Sequence, residues 1–275
     1  TMFMTKREKW LIYALMILAT LVTVVPFIWM IITSFKTQAE SIAFPPILLP
    51  ANPGFQAYGK ILHEMPFGSF YFNSIVSTLV IVILQTLIAA MAAYGFSRLR
   101  FKGRDVLFML CISILMVPGQ IFLIPQFLTV EKIGLLNSIP GLVLPGLFSI
   151  YSAFLLRQFF LSVPKELEEA AIMDGYNHLT IFFKIMLPLI KPGLIACVII
   201  NGLWSWNNLM WPLIVNTAMD KMTLPVGLAS LSGRSGVEYP MLMAGALLAI
   251  IPMLLLYIFF QRYFIRGIAG AGIKG

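Results

Sequence analysis

Residues 162–192 read SVPKELEEAAIMDGYNHLTIFFKIMLPLIKP and stand between two long apolar runs. Pro164 suits a first helical turn, and the three glutamates after it lie where the partial positive charge of a helix N-terminus favours acids. Gly175 is the expected left-handed stop of this helix. A second short helix is expected over about 178–186, ended by Pro188 and the proline that follows it. The segment is too polar to stay in lipid, so the sequence predicts two short helices outside the membrane, joined at a glycine.

The first of these helices has a regular spacing of small and acidic residues. Leu167, Ala170, Ala171 and Asp174 follow an i, i+3, i+4, i+7 pattern, which predicts one shared face. Alanines on that face would let another surface approach closely, and Glu169 and Asp174 are candidates for charge-assisted contacts with it. The pattern by itself favours an ordinary amphipathic connector resting on the bilayer surface.

The composition shows which solvent surrounds the rest of the chain. Of 275 residues, 60% are hydrophobic and 11% are charged, and the mean hydropathy is +0.92. A soluble domain of this size could not cover its surface with so few polar residues, so lipid must be the solvent for much of it. The formal net charge of +8 does not indicate nucleic acid, because the basic residues form no continuous patch or arm.

Six charge-free stretches are each long enough to cross about 30 Å of hydrocarbon. The sequence therefore predicts an all-α membrane protein with helices at about 11–33, 72–97, 106–127, 140–160, 193–216 and 241–264. The residues VPGQ at 117–120 should bend the third helix, and two prolines, Pro140 and Pro145, disturb the outer end of the fourth. A further charge-free stretch, 41–59, is rich in proline and is expected to form a loop outside the cytoplasm.

The distribution of lysine and arginine predicts the orientation. With a cytoplasmic N-terminus, only five of the 19 basic residues fall outside, and both termini are cytoplasmic. These five are Lys36, Lys60, Lys132, Lys221 and Arg234. The expected organisation is a first span with its outer loop (1–71), a core of five spans carrying the 162–192 loop (72–266), and a cytoplasmic tail (267–275).

The loop also resembles a known motif. The motif-like residues are Glu169-Ala170-Ala171, then three residues, Gly175, then nine residues and Ile185-Met186-Leu187-Pro188. This arrangement is similar to the EAA motif of ABC importer permeases. Every defined position of that motif is matched. Further stretches resemble the carbohydrate-uptake permeases, and the glycine-rich end resembles the tail of the smaller permease in maltose-type systems. These stretches are 92–98, 101–103, 155–160, 206–208 and 267–275.

The resemblance implies a type I importer fold and a set of partners. A second, homologous permease would complete the pore as a heterodimer, two ATPase subunits would lie beneath it, and an extracytoplasmic binding protein would deliver a sugar or oligosaccharide. The membrane would be the cytoplasmic (inner) membrane of a bacterium or archaeon. The residues implied in docking to the ATPase are Glu169, Ala170, Ala171, Asp174, Gly175, Leu187 and Pro188. In maltose-type systems the tail reaches between the ATPases, which implicates Gly270, Gly272 and Lys274.

A missing nucleotide-binding motif, and the absence of ionisable residues from the apolar stretches, argue against other classes of transporter and against an enzyme. The sequence has no Walker loop, so it should bind no nucleotide itself, and ATP and Mg²⁺ belong on partner subunits. The six charge-free stretches contain no Asp, Glu, His, Lys or Arg, which secondary carriers and intramembrane enzymes usually need within the membrane. A permease for another solute, such as glycerol phosphate or a polyol, stays open, and a secondary carrier is a weaker alternative.

Polar residues in the spans are candidates for the solute path, because a sugar needs amide and hydroxyl partners and aromatic faces. Amides also commonly join helices, and tryptophans commonly lie at the membrane interface. The candidates are Asn73, Gln85, Gln120, Tyr151, Asn201, Trp204, Asn207 and Asn208. The outer loop near residue 234 is a candidate contact for the binding protein, or else a solvated connector. Its residues are Ser232, Gly233, Arg234 and Ser235.

Overall fold

The computed structural model describes residues 5–232 and 236–272, and within them every regular element is a helix. The first helices are α1 (Lys6–Ser34), α2 (Gln38–Ser41), α3 (Gln56–Glu64), α4 (Phe67–Arg98), α5 (Arg104–Ser113), α6 (Leu123–Lys132), α7 (Ile139–Val143) and α8 (Ile150–Ser162). The others are α9 (Glu166–Met173), α10 (His178–Ile181), α11 (Leu187–Leu189), α12 (Lys191–Trp206), α13 (Met210–Val215), α14 (Leu224–Ser230) and α15 (Tyr239–Gly272). The all-α prediction is confirmed for these residues.

Three stretches of the described chain are continuous helices long and apolar enough to cross a membrane. They are Arg7–Ser34, Phe67–Arg98 and Tyr239–Phe259. Three further pairs qualify only as bent spans, which brings the number to six if each pair is one span. The pairs are Arg104–Met116 with Gly119–Lys132 (96°), Ile139–Gly146 with Ile150–Ser162 (52°), and His178–Leu189 with Lys191–Trp206 (80°). The bend predicted at 117–120 is therefore present, where Pro118 separates two short 3₁₀ turns.

The fifth span differs from its prediction. A continuous helix over 193–216 was expected, but α12 ends at Trp206 and α13 begins only at Met210. Pro212 explains the break, because proline is tolerated in the first turn of a helix but not in the interior of one. The side-chain amide of Asn207 donates to the Leu203 carbonyl at 2.8 Å and so satisfies one of the carbonyls left free where α12 ends.

The last helix is longer than the sequence predicted. It was expected to end near residue 264, whereas α15 runs through Pro252 and continues to Gly272. Two residues of the expected glycine-rich tail, Gly270 and Gly272, thus have helical backbone, and Lys274 lies outside the described residues.

One compact unit comprises the described residues of Thr1–Phe67 and Gly227–Pro252. Lys36 is buried in it, donating to the Ile47 carbonyl at 2.6 Å with its ammonium 4.1 Å from the centre of the Trp29 ring. Glu40 accepts hydrogen bonds from the backbone N–H groups of Thr37 (2.8 Å) and Ala51 (2.9 Å), and these bonds lower its pKa. The segment expected as an outer loop is thus a folded connection held by side chains.

The second compact unit comprises the described residues of Gly68–Val226 and Met253–Gly275. Three alanines of α4, at 89, 90 and 93, are almost fully buried and allow neighbouring helices to approach closely. Beside them the rings of Tyr94, Phe160 and Phe182 meet, with centroids 5.4–6.3 Å apart. This aromatic cluster packs the residues around the 162–192 segment against α4.

Gly141 in α7 is expected to tolerate no side chain. A Cβ atom there would overlap the carbonyl oxygen of Leu135, which is backbone and cannot rotate away. We expect Gly141→Ala to cost about 1–3 kcal/mol and to lower the thermal unfolding midpoint in detergent. The matched control is Gly146→Ala, because the nearest atom to a Cβ there is the side chain of Ile81 at an ordinary 3.6 Å. Equal midpoints for the two variants would contradict the prediction.

Candidate functional site

The 162–192 segment forms the predicted pair of helices joined at a glycine. Gly175 has a φ of +83°, the left-handed conformation expected of it. The N–H of Gly175 bonds to the Ile172 carbonyl (2.9 Å) and the N–H of Tyr176 to the Ala171 carbonyl (3.0 Å), which is a Schellman ending of α9. Asn177 then caps the next helix, accepting from the Thr180 N–H at 2.8 Å. Both helix ends are therefore satisfied locally, and the turn has one defined shape.

The second helix of the segment was expected over about 178–186, ended by Pro188 and Pro192, and it runs three residues further. Helical structure runs from His178 to Leu189, with a five-residue π turn at Phe182–Met186, and the direction changes by 80° only after Ile190. Pro188 lies in the first turn after the π turn, where a missing N–H is tolerated. Leu187 is half-buried and Pro188 is exposed.

The predicted shared face of α9 is divided in the structure. Ala171 is buried, but Leu167 is 44% exposed, and Ala170 and Asp174 are exposed as well. The second buried residue of α9 is Glu168, three positions before Ala171. The face turned inward is thus rotated from the one expected, because it is set by the polar groups beneath α9.

Glu168 is the residue that the sequence analysis missed. Its carboxylate accepts a hydrogen bond from the Tyr94 hydroxyl at 2.9 Å and lies 3.8 Å from the Arg98 guanidinium. His178 Nδ1 lies 3.4 Å from the Tyr94 hydroxyl oxygen and 3.8 Å from the carboxylate. The side chains of Glu168 and Arg98 are 11% and 3% exposed, so the ion pair is largely removed from water. We call Tyr94, Arg98, Glu168 and His178 the Glu168 cluster.

Arg98 also reaches the end of α8. Its Nη2 donates to the carbonyls of Phe160 and Val163, the latter at 2.5 Å. A cation at a helix C-terminus is favourable because the free carbonyls there carry partial negative charge. One guanidinium at the end of α4 therefore holds both the end of α8 and the inner side of α9. A hint was available in sequence, since Tyr94 and Arg98 are four residues apart and share one side of a helix.

The remaining motif residues lie on the outer surface of the segment. Glu169, Ala170, Asp174 and Gly175 are all exposed, and no heavy atom lies within 4 Å of the position that a Cβ of Gly175 would occupy. The α9 helix is thus held from inside by Glu168 and presents small and acidic residues outward.

The candidate solute-path residues fall into two groups, and the first is engaged inside the protein. Asn73 is buried and donates to the carbonyls of Asp220 (3.0 Å) and Met222 (2.9 Å). Asn201 is buried, accepts from Ser152 at 3.0 Å and lies 3.4 Å from the Thr86 hydroxyl. Gln85 is half-buried and donates to the Gly146 carbonyl at 2.6 Å, at the break of the fourth span.

The second group is exposed in the described chain. Trp204 is 79% exposed and Tyr151 is 48% exposed. The other exposed candidates are Gln120, Asn207 and Asn208. The side chains of this second group are accessible to a solute or a neighbouring subunit, although the Asn207 amide also donates to the Leu203 carbonyl.

Two further kinds of candidate site are the outer loop near residue 234 and clusters of metal-ligating side chains. Ser232 is exposed, and Gly233, Arg234 and Ser235 lie outside the described residues. Within the part of the chain that the structure describes, no group of three His, Cys, Asp or Glu side chains is placed to hold a metal ion.

With this geometry established, comparison with known proteins identifies the family. Residues 85–270 match the model of the binding-protein-dependent transport system inner membrane component. The chain belongs to this family. The match covers both the α9 region and the Glu168 cluster, and it confirms the membership that the EAA-like motif predicted.

Two relatives show the range of the family. The chain is 38% identical to the arabinooligosaccharides transport system permease protein AraQ of Halalkalibacterium halodurans, over 97% of each protein. It is 34% identical to the diacetylchitobiose uptake system permease protein NgcG of Streptomyces coelicolor, over 91% of this chain and 84% of that protein.

A solved structure of the same fold is a bacterial ABC transporter involved in the import of the acidic polysaccharide alginate. One of its chains has a TM-score of 0.81 and 28% identity, covering 96% of this chain and all of that one. The described helices are therefore those of an integral inner-membrane permease, as predicted.

Proposed function

We propose that this chain forms half of the translocation pathway of an ABC importer for a sugar or oligosaccharide, and that α9 couples it to a partner ATPase. The observation that carries the coupling proposal is the two-sided character of α9. Its inner side is tied by Glu168 to a guanidinium at the end of α4, and its outer side is small, acidic and exposed. A helix that must transmit the movement of another subunit needs both a rigid attachment and a free docking face.

The remaining partners follow from the same proposal. A second, homologous permease completes the pore, two ATPase subunits bind ATP and Mg²⁺, and an extracytoplasmic binding protein delivers the solute. Both termini and the α9 segment lie on the cytoplasmic side, as the distribution of basic residues predicts. This chain performs no catalytic step itself.

The class of solute is proposed from the relatives. The proteins similar to this chain over most of their length include permeases named for arabinooligosaccharides and for diacetylchitobiose. Both names describe short saccharides, which favours a sugar or oligosaccharide as the solute here.

The proposed function is tested by reconstituting the chain with its permease, ATPase and binding-protein partners in liposomes. We expect uptake of a saccharide that requires internal ATP and the loaded binding protein. A calorimetric screen of the binding protein against saccharides, polyols and glycerol phosphate would identify the cargo. Uptake driven by an ion gradient without ATP would contradict the coupling proposal, and binding of non-sugars alone would contradict the cargo.

The exposed aromatic Trp204 provides a prediction about the solute path. Its indole on α12 has the free face that stacking on a sugar requires. We expect Trp204→Ala to lower uptake severalfold through a higher KM while the thermal midpoint stays unchanged. Trp10→Ala on α1 is the matched control, since that indole is 75% exposed and lies outside the proposed path.

Asn201 is a buried candidate, so its replacement should lower the stability of the chain rather than its apparent affinity for the solute. Asn201→Leu leaves the Ser152 and Thr86 hydroxyls without this partner and is expected to cost about 1–3 kcal/mol of stability. Normal uptake by the Trp204→Ala variant, measured in the same assay, would show that Trp204 does not line the solute path.

Two further contacts with partner proteins complete the proposal. The end of α15, with Gly270, Gly272 and the following Lys274, is proposed to reach the ATPases, and Ser232–Ser235 to face the binding protein. Photo-crosslinking residues placed at Lys274 and Ser232 should each label a different partner. Labelling of lipid alone would refute the contact concerned.

A further inference from the structure

The short connection between α4 and α5 carries a concentration of basic residues. Arg100 and Lys102 lie in it, and Arg104 is the first residue of α5. Gly103 has a φ of +81° and turns the chain sharply there. Together with Lys165, which precedes α9, these residues line an open cleft of about 830 Å³. We call it the basic cleft.

The acidic residue in the basic cleft does not neutralise it. Asp105 also lines the cleft, but its Oδ1 lies 3.1 Å from Arg104 Nε and 3.5 Å from Arg157 Nη2. Its charge is therefore already shared by two arginines. Across the described residues 5–232 and 236–272, Arg100, Lys102 and Lys165 form no ion pair, and all three are exposed.

One wall of the basic cleft is apolar and continues along a spanning helix. Phe101 and Val106 line it and are 44% and 59% exposed. Beyond Val106 the exposed residues of α5 are Leu107, Met109, Leu110 and, at its end, Ser113. The basic residues therefore stand within one or two turns of a surface with the composition of a lipid-facing helix.

The position of the cleft places it at the headgroup layer. The α4 helix has 32 residues, which corresponds to about 48 Å at 1.5 Å per residue. This is close to the roughly 40–45 Å of a bilayer that includes both headgroup regions. The charged residues begin at the last residue of α4 and continue to the first residue of α5, so the cleft lies where lipid phosphates lie.

We propose that the basic cleft binds the headgroup of an anionic phospholipid. The phosphate is held by Arg100, Lys102 and Lys165, and the glycerol backbone with the first acyl carbons lies against Phe101 and Val106. A soluble anion would make no use of the apolar wall, and that wall leads directly to the exposed apolar side of α5. Cationic side chains beside a spanning helix are the groups that anionic headgroups favour.

The proposed lipid lies next to α9. A second cleft of about 600 Å³ shares Arg100, Phe101, Arg104 and Lys165 with the basic cleft, and it is also lined by Glu169 and Ile172. In so far as the coupling role of α9 proposed above holds, the lipid supports the base of the coupling helix. The lipid site itself requires neither that role nor a particular cargo.

The test measures lipid retention on the full-length chain in the complex in which it is expressed. The complex is exchanged into detergent containing equal amounts of phosphatidylglycerol and phosphatidylcholine, and the retained lipid is counted by native mass spectrometry. We expect the wild type to retain phosphatidylglycerol preferentially. Each neutralised cation should weaken retention about fivefold, so Arg100→Gln with Lys102→Gln should weaken it about 25-fold.

The control is the double variant Arg7→Gln with Lys9→Gln, which removes two exposed cations at the start of α1 but none from the cleft. It should retain phosphatidylglycerol like the wild type. The single variant Lys165→Gln, which changes a cleft residue from a different part of the chain, should show the fivefold loss if the double variant expresses poorly.

Three results would overturn the proposal. An equal loss of phosphatidylglycerol from the cleft and control variants would show that retention depends on general surface charge and not on the cleft. Displacement of phosphatidylglycerol by millimolar inorganic phosphate would identify a soluble-anion site instead. Loss of a co-purifying subunit from the cleft variant, with its lipid retained, would assign the basic cleft to a protein partner. The count of retained lipid does not measure ATP-driven uptake, so the proposed function is tested separately.

Discussion

Replacing Glu168 by alanine is expected to destabilise the chain by about 3–5 kcal/mol, because it leaves the Arg98 guanidinium buried without its counter-charge. Arg98 is 3% exposed and its Nε already has no hydrogen-bond partner in the described residues. The Tyr94 hydroxyl would lose its acceptor in the same substitution. The expected observations are a large fall in the thermal midpoint in detergent and a low yield of folded chain.

The neighbouring glutamate is the matched control. Glu169→Ala removes an identical side chain one position along α9, but that side chain is exposed and makes no described hydrogen bond or ion pair. We expect its thermal midpoint to match the wild type, with any loss confined to ATP-driven uptake and to co-purification of the ATPase. Similar midpoints for the Glu168 and Glu169 variants would show that the Glu168 cluster does not anchor α9.

Replacing Gly175 by tryptophan is expected to reduce ATP-driven uptake more than tenfold while the chain still folds. The left-handed backbone at this position costs a non-glycine residue about 1–2 kcal/mol, which a chain of this size tolerates. Nothing lies within 4 Å of the position of its Cβ, so the indole would stand on the surface beside Asp174. It would then occupy the space that the proposed docking of an ATPase requires. Uptake in liposomes and the amount of co-purified ATPase measure the effect.

Gly175→Asn separates the backbone effect from the docking effect. Asparagine adopts the left-handed conformation more readily than other residues and is small. We expect this variant to retain most of the uptake. If asparagine and tryptophan reduce uptake equally, the glycine matters for the shape of the turn and not for close approach.

The solute-path candidates show where a polar residue in an apolar run is ambiguous. Asn73 and Asn201 are as polar as Asn207, yet both are buried and hydrogen-bonded to other helices or loops of the same unit. An amide can bind helix to helix or face a cavity, and only its neighbours in space decide which. Trp204 and Tyr151 differ from these two asparagines because their side chains are exposed. The spacing of residues along the sequence does not show this difference.

The helix breaks were predictable where the cause is local. The VPGQ sequence indicated the bend at 117–120, since proline removes a hydrogen bond whatever surrounds it. The π turn at Phe182–Met186, which lets helical structure continue to Leu189, was not predicted. It depends on Phe182 and Met186 being drawn into the buried cluster around Tyr94.

The 162–192 segment likewise has features that its sequence predicts and features that depend on residues distant in the chain. Its sequence alone determined two helices joined by a left-handed Gly175, because capping residues and glycine act within one turn of chain. Elsewhere in the chain, the length of the apolar runs predicted where the spans lie but not the break between Trp206 and Met210. The tertiary structure decided which of two adjacent glutamates anchors α9 and which faces outward. Helical spacing shows which residues share a side but not which side turns inward, and that choice was made by Tyr94 and Arg98 on a helix about 70 residues earlier in the chain.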